Sequence, residues 1–243
     1  MTTRRNKHQN SHAETAVSNN GRLPAVVLLP DIKHVQQKCD WDCGIACVLM
    51  TLNDVQQKKF NTTKDTIFRE EGFGKSVWTI DLAYLLKRFS IEHIYYTVTV
   101  GVNPDYKTEK FYKDNFLANE FRVNDKFKDA INNNIVVIKR SLMLNEILHH
   151  IACGNPAIVL VNSNLIDCSS CGSVLSGWTQ YFSRLLSFTG HFILLCGYDE
   201  NNLQLMYRNP AKHDKVCLMS YEIFEKARRC RGTDEDIILI FRN

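Results

Sequence analysis

The chain has 243 residues, 44% of them apolar, and a formal net charge of +4. That suits one sizeable globular domain, or two small ones, with a real core. Arg4, Arg5, Lys7 and Arg22 against Glu14 place most of the charge in the first 22 residues, so the rest offers no basic stripe for nucleic acid. No apolar run approaches the ~20 residues of a membrane helix, and the polar N-terminus shows no signal-peptide core. The nine cysteines are an odd count. Several, such as Cys47, Cys196 and Cys217, sit in apolar runs, as buried thiols do. A reducing compartment, cytoplasmic or nuclear, is expected rather than a disulfide scaffold.

In chain order, residues 1–23 lack periodicity and read as a disordered polar and basic tail. Residues 24–243 follow as the folded domain. Residues 25–29 form a short strand and 43–53 a first, apolar helix. Asn61-Thr62-Thr63 reads as the cap of a helix near 62–71. Ser76 is a cap for a third helix, with Trp78, Leu82, Leu85 and Leu86 along one face. Ile94–Val100 alternates as a strand, and Tyr106–Asn132 suggests two amphipathic helices. Strands follow at 135–138 and 157–161, around a helix that Ser141 opens and Gly154 ends. Residues 163–188 have no clean period, a length that marks a functional or poorly ordered segment. Strands near 190–197, 203–208 and 236–241 close the chain, with a helix near 220–229 before the last. The layout is α+β: a helical front half and a sheet-rich back half.

Trp41-Asp42-Cys43-Gly44 puts a cysteine on the first turn of a helix, where free N–H groups and the dipole favour a thiolate. His191 opens the apolar strand that begins at Gly190. Asn209 ends another, just before Pro210, which holds it extended. Cysteine, histidine, then Asn or Asp is the order of a papain-like nucleophilic site. Cys43 is the candidate nucleophile, with Cys39 a competitor by position. His191 is the candidate base, and Asn209 or Asp199 the group that orients it. Gln37, or its neighbour Gln36, is a candidate oxyanion donor beside the Cys43 N–H. His149, His150 and His213 read as surface residues. Cys168-Ser169-Ser170-Cys171 is a lone C-x-x-C with Cys153 nearest, half a zinc site, a labile redox pair or neither.

Gln37, Asp42-Cys43-Gly44, Gly190-His191, Gly197-Tyr198-Asp199 and Asn209-Pro210 resemble the peptidase C39-like branch of the papain-like superfamily. That branch has aspartate where this chain has Asn209. Papain is similar to this chain in using asparagine. A closer resemblance spans nearly all of the chain after the tail. Trp41-Asp42-Cys43-Gly44, the 77–85 segment beginning Val77-Trp78-Thr79-Ile80-Asp81, Gly190-His191-Phe192-Ile193, Asn209-Pro210-Ala211 and Gly232-Thr233-Asp234-Glu235-Asp236-Ile237 are similar to the guanylyl cyclase domain-containing protein 1 family. The resemblance implies a papain-like fold, and the family name implies conversion of GTP to cyclic GMP. The residues themselves supply no Gly-rich phosphate loop. Asp81 reads as helix surface, and the carboxylates of 232–236 as a capping turn.

The expected activity is hydrolysis of a peptide or amide bond by Cys43, His191, Asn209 and Gln37. It calls for no cofactor, no metal, no nucleic acid and no membrane, with a peptide or protein as substrate. Two alternatives stand beside it: a guanylyl cyclase, and a silent module that binds peptides in the same cleft. The sequence leaves the oligomeric state open.

Overall fold

The computed structural model describes residues 23–74, 76–108, 116–166 and 188–242. Eight strands form one sheet: β1 (Val26–Leu28), β2 (Glu92–Thr97), β3 (Val136–Lys139), β4 (Ala157–Asn162), β5 (Gly190–Asp199), β6 (Gln204–Arg208), β7 (Val216–Ser220) and β8 (Ile237–Phe241). Their order is β3-β2-β8-β4-β5-β6-β7, and β1 pairs with the far end of β5. Every pairing is antiparallel except β2 with β3.

Among the described residues six α-helices cover the two faces: α1 (Cys43–Thr51), α2 (Asp54–Glu71), α3 (Thr79–Arg88), α4 (Phe116–Asp129), α5 (Leu144–Ala152) and α6 (Tyr221–Arg229). β5 shows how the faces divide. Phe192, Leu194 and Cys196 join the core under α1, α2, α3 and α4, with Val48, Leu82, Leu85 and Ile238. Ile193 and Leu195 point the other way, into the core under α5 and α6, with Ile147, Val159, Tyr207 and Phe224. That is the two-residue period of a strand buried on both sides. Each fully buried large side chain there contributes about 1.5–3 kcal/mol.

Local chemistry sets several boundaries differently from the sequence expectation. The second helix begins at Asp54, because Asn53 and Gln56 form a reciprocal capping box. Asn61-Thr62-Thr63 is therefore mid-helix, where Thr62 and Thr63 donate back to the Lys59 carbonyl. Asp81 caps α3 by accepting the Trp78 N–H at 2.9 Å, while Ser76 accepts from Asn119 instead. Glu146 opens α5 through the Met143 N–H, and Ser141 reaches across to Glu235. A short strand, β7, was not foreseen, since Val216–Ser220 alternates over only five residues. Of the expected pair of helices over 106–132, α4 matches the second, residues 104–108 make a 3₁₀ turn, and 109–115 lie outside the described residues. The tail and the C-x-x-C lie outside the described residues, as does nearly all of the 163–188 segment. Among the described residues no helix is long and apolar enough to cross a membrane.

Candidate active site

The site forms where β6 stops. β6 pairs with β5 only from Leu194 to Asp199, so among the described residues the first positions of β5 have no strand on that side. The N-terminus of α1 fills the gap, and the Phe192 N–H donates to Cys43 Sγ at 3.5 Å. Seven of the nine residues of α1 are buried, which is why its sequence is apolar all round. Gly44 permits the close approach: a Cβ there would sit 2.8 Å from Leu82 Cδ1 and 2.9 Å from Phe192 Cδ2. Before the helix, the Asp42 carboxylate accepts the Lys38 and Cys39 N–H groups and closes the loop that delivers Cys43. The Gln37 N–H donates to the Pro210 carbonyl at 2.9 Å, tying that loop to the turn that carries Asn209.

Hydrogen bonding fixes the imidazole's tautomer. The Ala211 N–H can only donate, and it donates to Asn209 Oδ1 at 3.0 Å, so the amide oxygen faces inward. The same oxygen lies 2.9 Å from His191 Nε2. Nε2 must therefore carry the proton, which leaves Nδ1 as the lone-pair nitrogen. Both residues are buried, at 9% and 7% exposure.

Burial also sets the charge state. It pushes the Cys43 thiol above its ordinary value, outweighing the backbone N–H groups of Phe192 and Gly44, and Asp42 adds to the rise. Burial pushes the His191 imidazole down, against the pull of Asn209. Both shifts favour the neutral forms of thiol and imidazole. Desolvation of the buried sulfur works against the helix N-terminus, which favours a thiolate, and is the larger effect on Cys43. Gln37 Nε2 donates to the Cys39 carbonyl at 2.7 Å, which leaves its second N–H for another acceptor.

The competing candidates fall elsewhere. Asp199 is at the opposite end of β5 and accepts from Asn201 and Asn202. Cys39 is exposed, as is Gln36. His149 and His213 are exposed as expected, but His150 is buried with its Nε2 3.1 Å from the Pro156 carbonyl.

The sequence did not foresee what faces Cys43. A cavity of about 520 Å³ is lined by Cys43, Trp41, Trp78 and Phe192 and also by Thr79, Asp234 and Asp236. The two motifs read as helix surface and capping turn are buried: Thr79 is 3% exposed, Asp81 0% and Asp236 7%. Asp81 is engaged by Arg122 and Lys126 and holds α4 against α3. Asp234 accepts the hydroxyls of Thr99 and Tyr106, both at 2.8 Å. Asp236 accepts the Thr79 hydroxyl on Oδ2, and the Tyr95 and Thr97 hydroxyls face the same carboxyl. Burial, with Asp234 alongside, pushes the Asp236 carboxyl up to about 7. Asp234 and Glu235 both take left-handed backbone, at φ 48° and 51°. Such a conformation costs about 1–2 kcal/mol per residue. The Thr233 hydroxyl on the Arg228 carbonyl, at 2.6 Å, helps to hold the turn. The clue available in the sequence was the density of carboxylates and threonine next to the apolar run of β8. Among the described residues, no three His, Cys, Asp or Glu side chains gather as a metal site.

Comparison with known proteins gives the family and the fold. A family model described as Guanylylate cyclase matches residues 32–240. The chain is 38% identical over 214 residues to Guanylyl cyclase 1 of Arabidopsis thaliana, across 86% of this chain and 75% of that protein. In three dimensions it is similar to the crystal structure of a C39-like peptidase candidate from Bacillus anthracis. That match has a TM-score of 0.50 and 14% identity and covers 90% of this chain and 98% of the other. The likeness shows the fold alone, α+β and papain-like. By the extent of the family match, the chain belongs to the Guanylylate cyclase family.

Proposed function

We propose that the protein is a papain-like cysteine hydrolase of peptide or amide bonds. The observation that carries this is the pair of contacts at the start of β5: Cys43 Sγ on the Phe192 N–H, and His191 Nε2 on Asn209 Oδ1. His191 Nδ1 takes the thiol proton as sulfur attacks the substrate carbonyl. The reaction then starts from a neutral pair, with proton transfer coupled to attack rather than from a standing ion pair. The Cys43 N–H and the second N–H of Gln37 stabilise the oxyanion. The imidazolium gives its proton to the leaving amine, and a thioester forms at Cys43. Water, deprotonated by His191, then hydrolyses the thioester. Asn209 holds the imidazole in its tautomer and orientation throughout.

The test is hydrolysis of peptide and amide substrates by the wild type and by Cys43→Ser, with folding checked by circular dichroism. The expected result is loss of turnover by about a thousandfold or more in a folded variant. Equal turnover in the two proteins would overturn the proposal.

The second reading, cyclisation of GTP, rests on the family match and on the name of the Arabidopsis relative. Two cavity carboxylates, Asp234 and Asp236, are present for it, while Asp81 is already paired with cations. The donor set does not amount to a metal cradle among the described residues. Cyclic GMP formation that persists in Cys43→Ser would favour this reading over the first.

A further inference from the structure

The hydrolase mechanism uses Cys43 but gives no role to the cavity that Cys43 lines. We propose that this cavity is the subsite for an aromatic side chain on the acyl side of the scissile bond. This rests on the reading of the cleft as the site of a hydrolase and adds a substrate class to it: peptides or amides whose acyl part carries an aromatic group next to the bond that is cut.

Three observations meet here. The first is the apolar lining. Trp41, Val77 and Trp78 pack against the core yet stay only half-buried, and with the buried Leu160 and Phe192 they line the cavity. An aromatic ring seated there takes apolar surface out of water on both partners and adds ring-to-ring contact. The volume of about 520 Å³ falls within the ~300–1,000 Å³ of small-molecule sites. The second is that polar side chains in the lining already have partners. Asn119 Nδ2 donates to Ser76 Oγ at 2.9 Å, and Asn119 Oδ1 accepts from Arg122 at 3.0 Å. Asp234 accepts the Thr99 and Tyr106 hydroxyls, and the Thr79, Tyr95 and Thr97 hydroxyls face Asp236. Groups bonded to one another ask nothing of a ligand, which leaves the apolar walls to select it. The third is direction. Successive residues of a strand face opposite ways. Among the described residues the lining takes Gly190 and Phe192 from β5 and leaves out His191 between them. The imidazole gives its proton to the leaving amine, so the amine lies against His191. The acyl part then extends to the other side of Cys43, where the cavity is.

The probe pair is N-acetyl-L-phenylalaninol and N-acetyl-L-alaninol, titrated into the wild type by calorimetry and by tryptophan fluorescence. Both keep the acyl-side side chain and have no carbonyl beyond it to attack, so neither measurement requires turnover. The phenylalaninol is expected to bind about tenfold or more tightly, the range for moving an aromatic side chain from water into an apolar site. Val77→Trp, at a half-buried position, fills the cavity, and Trp78→Ala removes a wall. Each is expected to bring the two probes within about threefold. Equal affinity of the two probes for the wild type, or an undiminished preference in both variants, would overturn the subsite. Guanosine is titrated in parallel. Binding tighter than that of the phenylalaninol and lost in Trp78→Ala would hand the cavity to a purine and overturn it as well. Turnover of the N-acetyl-phenylalanine and N-acetyl-alanine 4-nitroanilides separates the two proposals. Selective binding with neither anilide hydrolysed would uphold the apolar subsite and sink the hydrolase. Hydrolysis of both at equal kcat/KM, without selective binding, would do the reverse.

Discussion

Two buried polar clusters of the molecule are built in opposite ways. In the first, His191 Nε2 meets Asn209 Oδ1, and that oxygen also accepts the Ala211 N–H. In the second, burial and the neighbouring Asp234 together push the Asp236 carboxyl away from ionisation. A satisfied network holds one geometry, whereas two carboxyls crowded under burial carry a standing electrostatic cost. The first cluster is therefore built to orient, and the second couples the fold to pH.

The largest effect expected from breaking this contrast, short of removing Cys43 itself, comes from Asn209→Ala. It removes the acceptor that holds the His191 tautomer and should lower kcat/KM for hydrolysis by about a hundredfold, the scale of a small misplacement of a catalytic group. The decrease should lie mainly in kcat, and a change confined to KM would show that Asn209 has no orienting role. Gly44→Ala acts at the same site through packing. Its Cβ would press on Leu82 and Phe192, both buried in the core behind the site. Overpacking of that kind costs about 1–3 kcal/mol, to be read as a lower urea midpoint. An unchanged midpoint would mean that the neighbours give way freely.

The remaining prediction concerns Asp236 and pH. The Asp236 carboxyl stands near 7 in the folded chain against an ordinary value of 3.8. The folded state therefore binds more protons between those values. Asp236 then weakens the fold progressively as pH rises from about 4 to about 7, and by a constant amount above that. The groups facing it are Asp234 on the same turn, Tyr95 and Thr97 on β2, and Thr79 on α3. Asp236→Asn should melt higher than the wild type at pH 8, with the gap closing as pH falls towards 4. A gap that stays constant across that range would place the effect in packing rather than in charge.

Much of the site was legible because its signals are local. A helix start at Cys43, a strand start at His191 and a residue fixed ahead of Pro210 each follow from neighbours in sequence. The boundary at Asp54 was legible too, in Asn53 and Gln56, but the threonines at 62 and 63 were a stronger pattern to the eye. Asp81 and Asp236 were misplaced for a different reason. Each sits in a polar motif that would be exposed on an isolated helix or turn. Their burial depends on Arg122 and Lys126, 41 and 45 positions on from Asp81, and on Thr79, 157 positions from Asp236.

The sequence by itself determined most of the elements, the α+β layout and the order of cysteine, histidine and asparagine, because periodicity, caps and prolines act over a few residues. Only the tertiary structure decided three further things. It decided that β6 ends early enough for α1 to bring Cys43 onto the edge of β5. It decided that burial pushes both thiol and imidazole towards their neutral forms, since desolvation depends on everything packed around them. And it decided that two carboxyls from the turn before β8 line the same cavity as the cysteine. Burial and juxtaposition are sums over residues far apart in the chain, and no local pattern carries them.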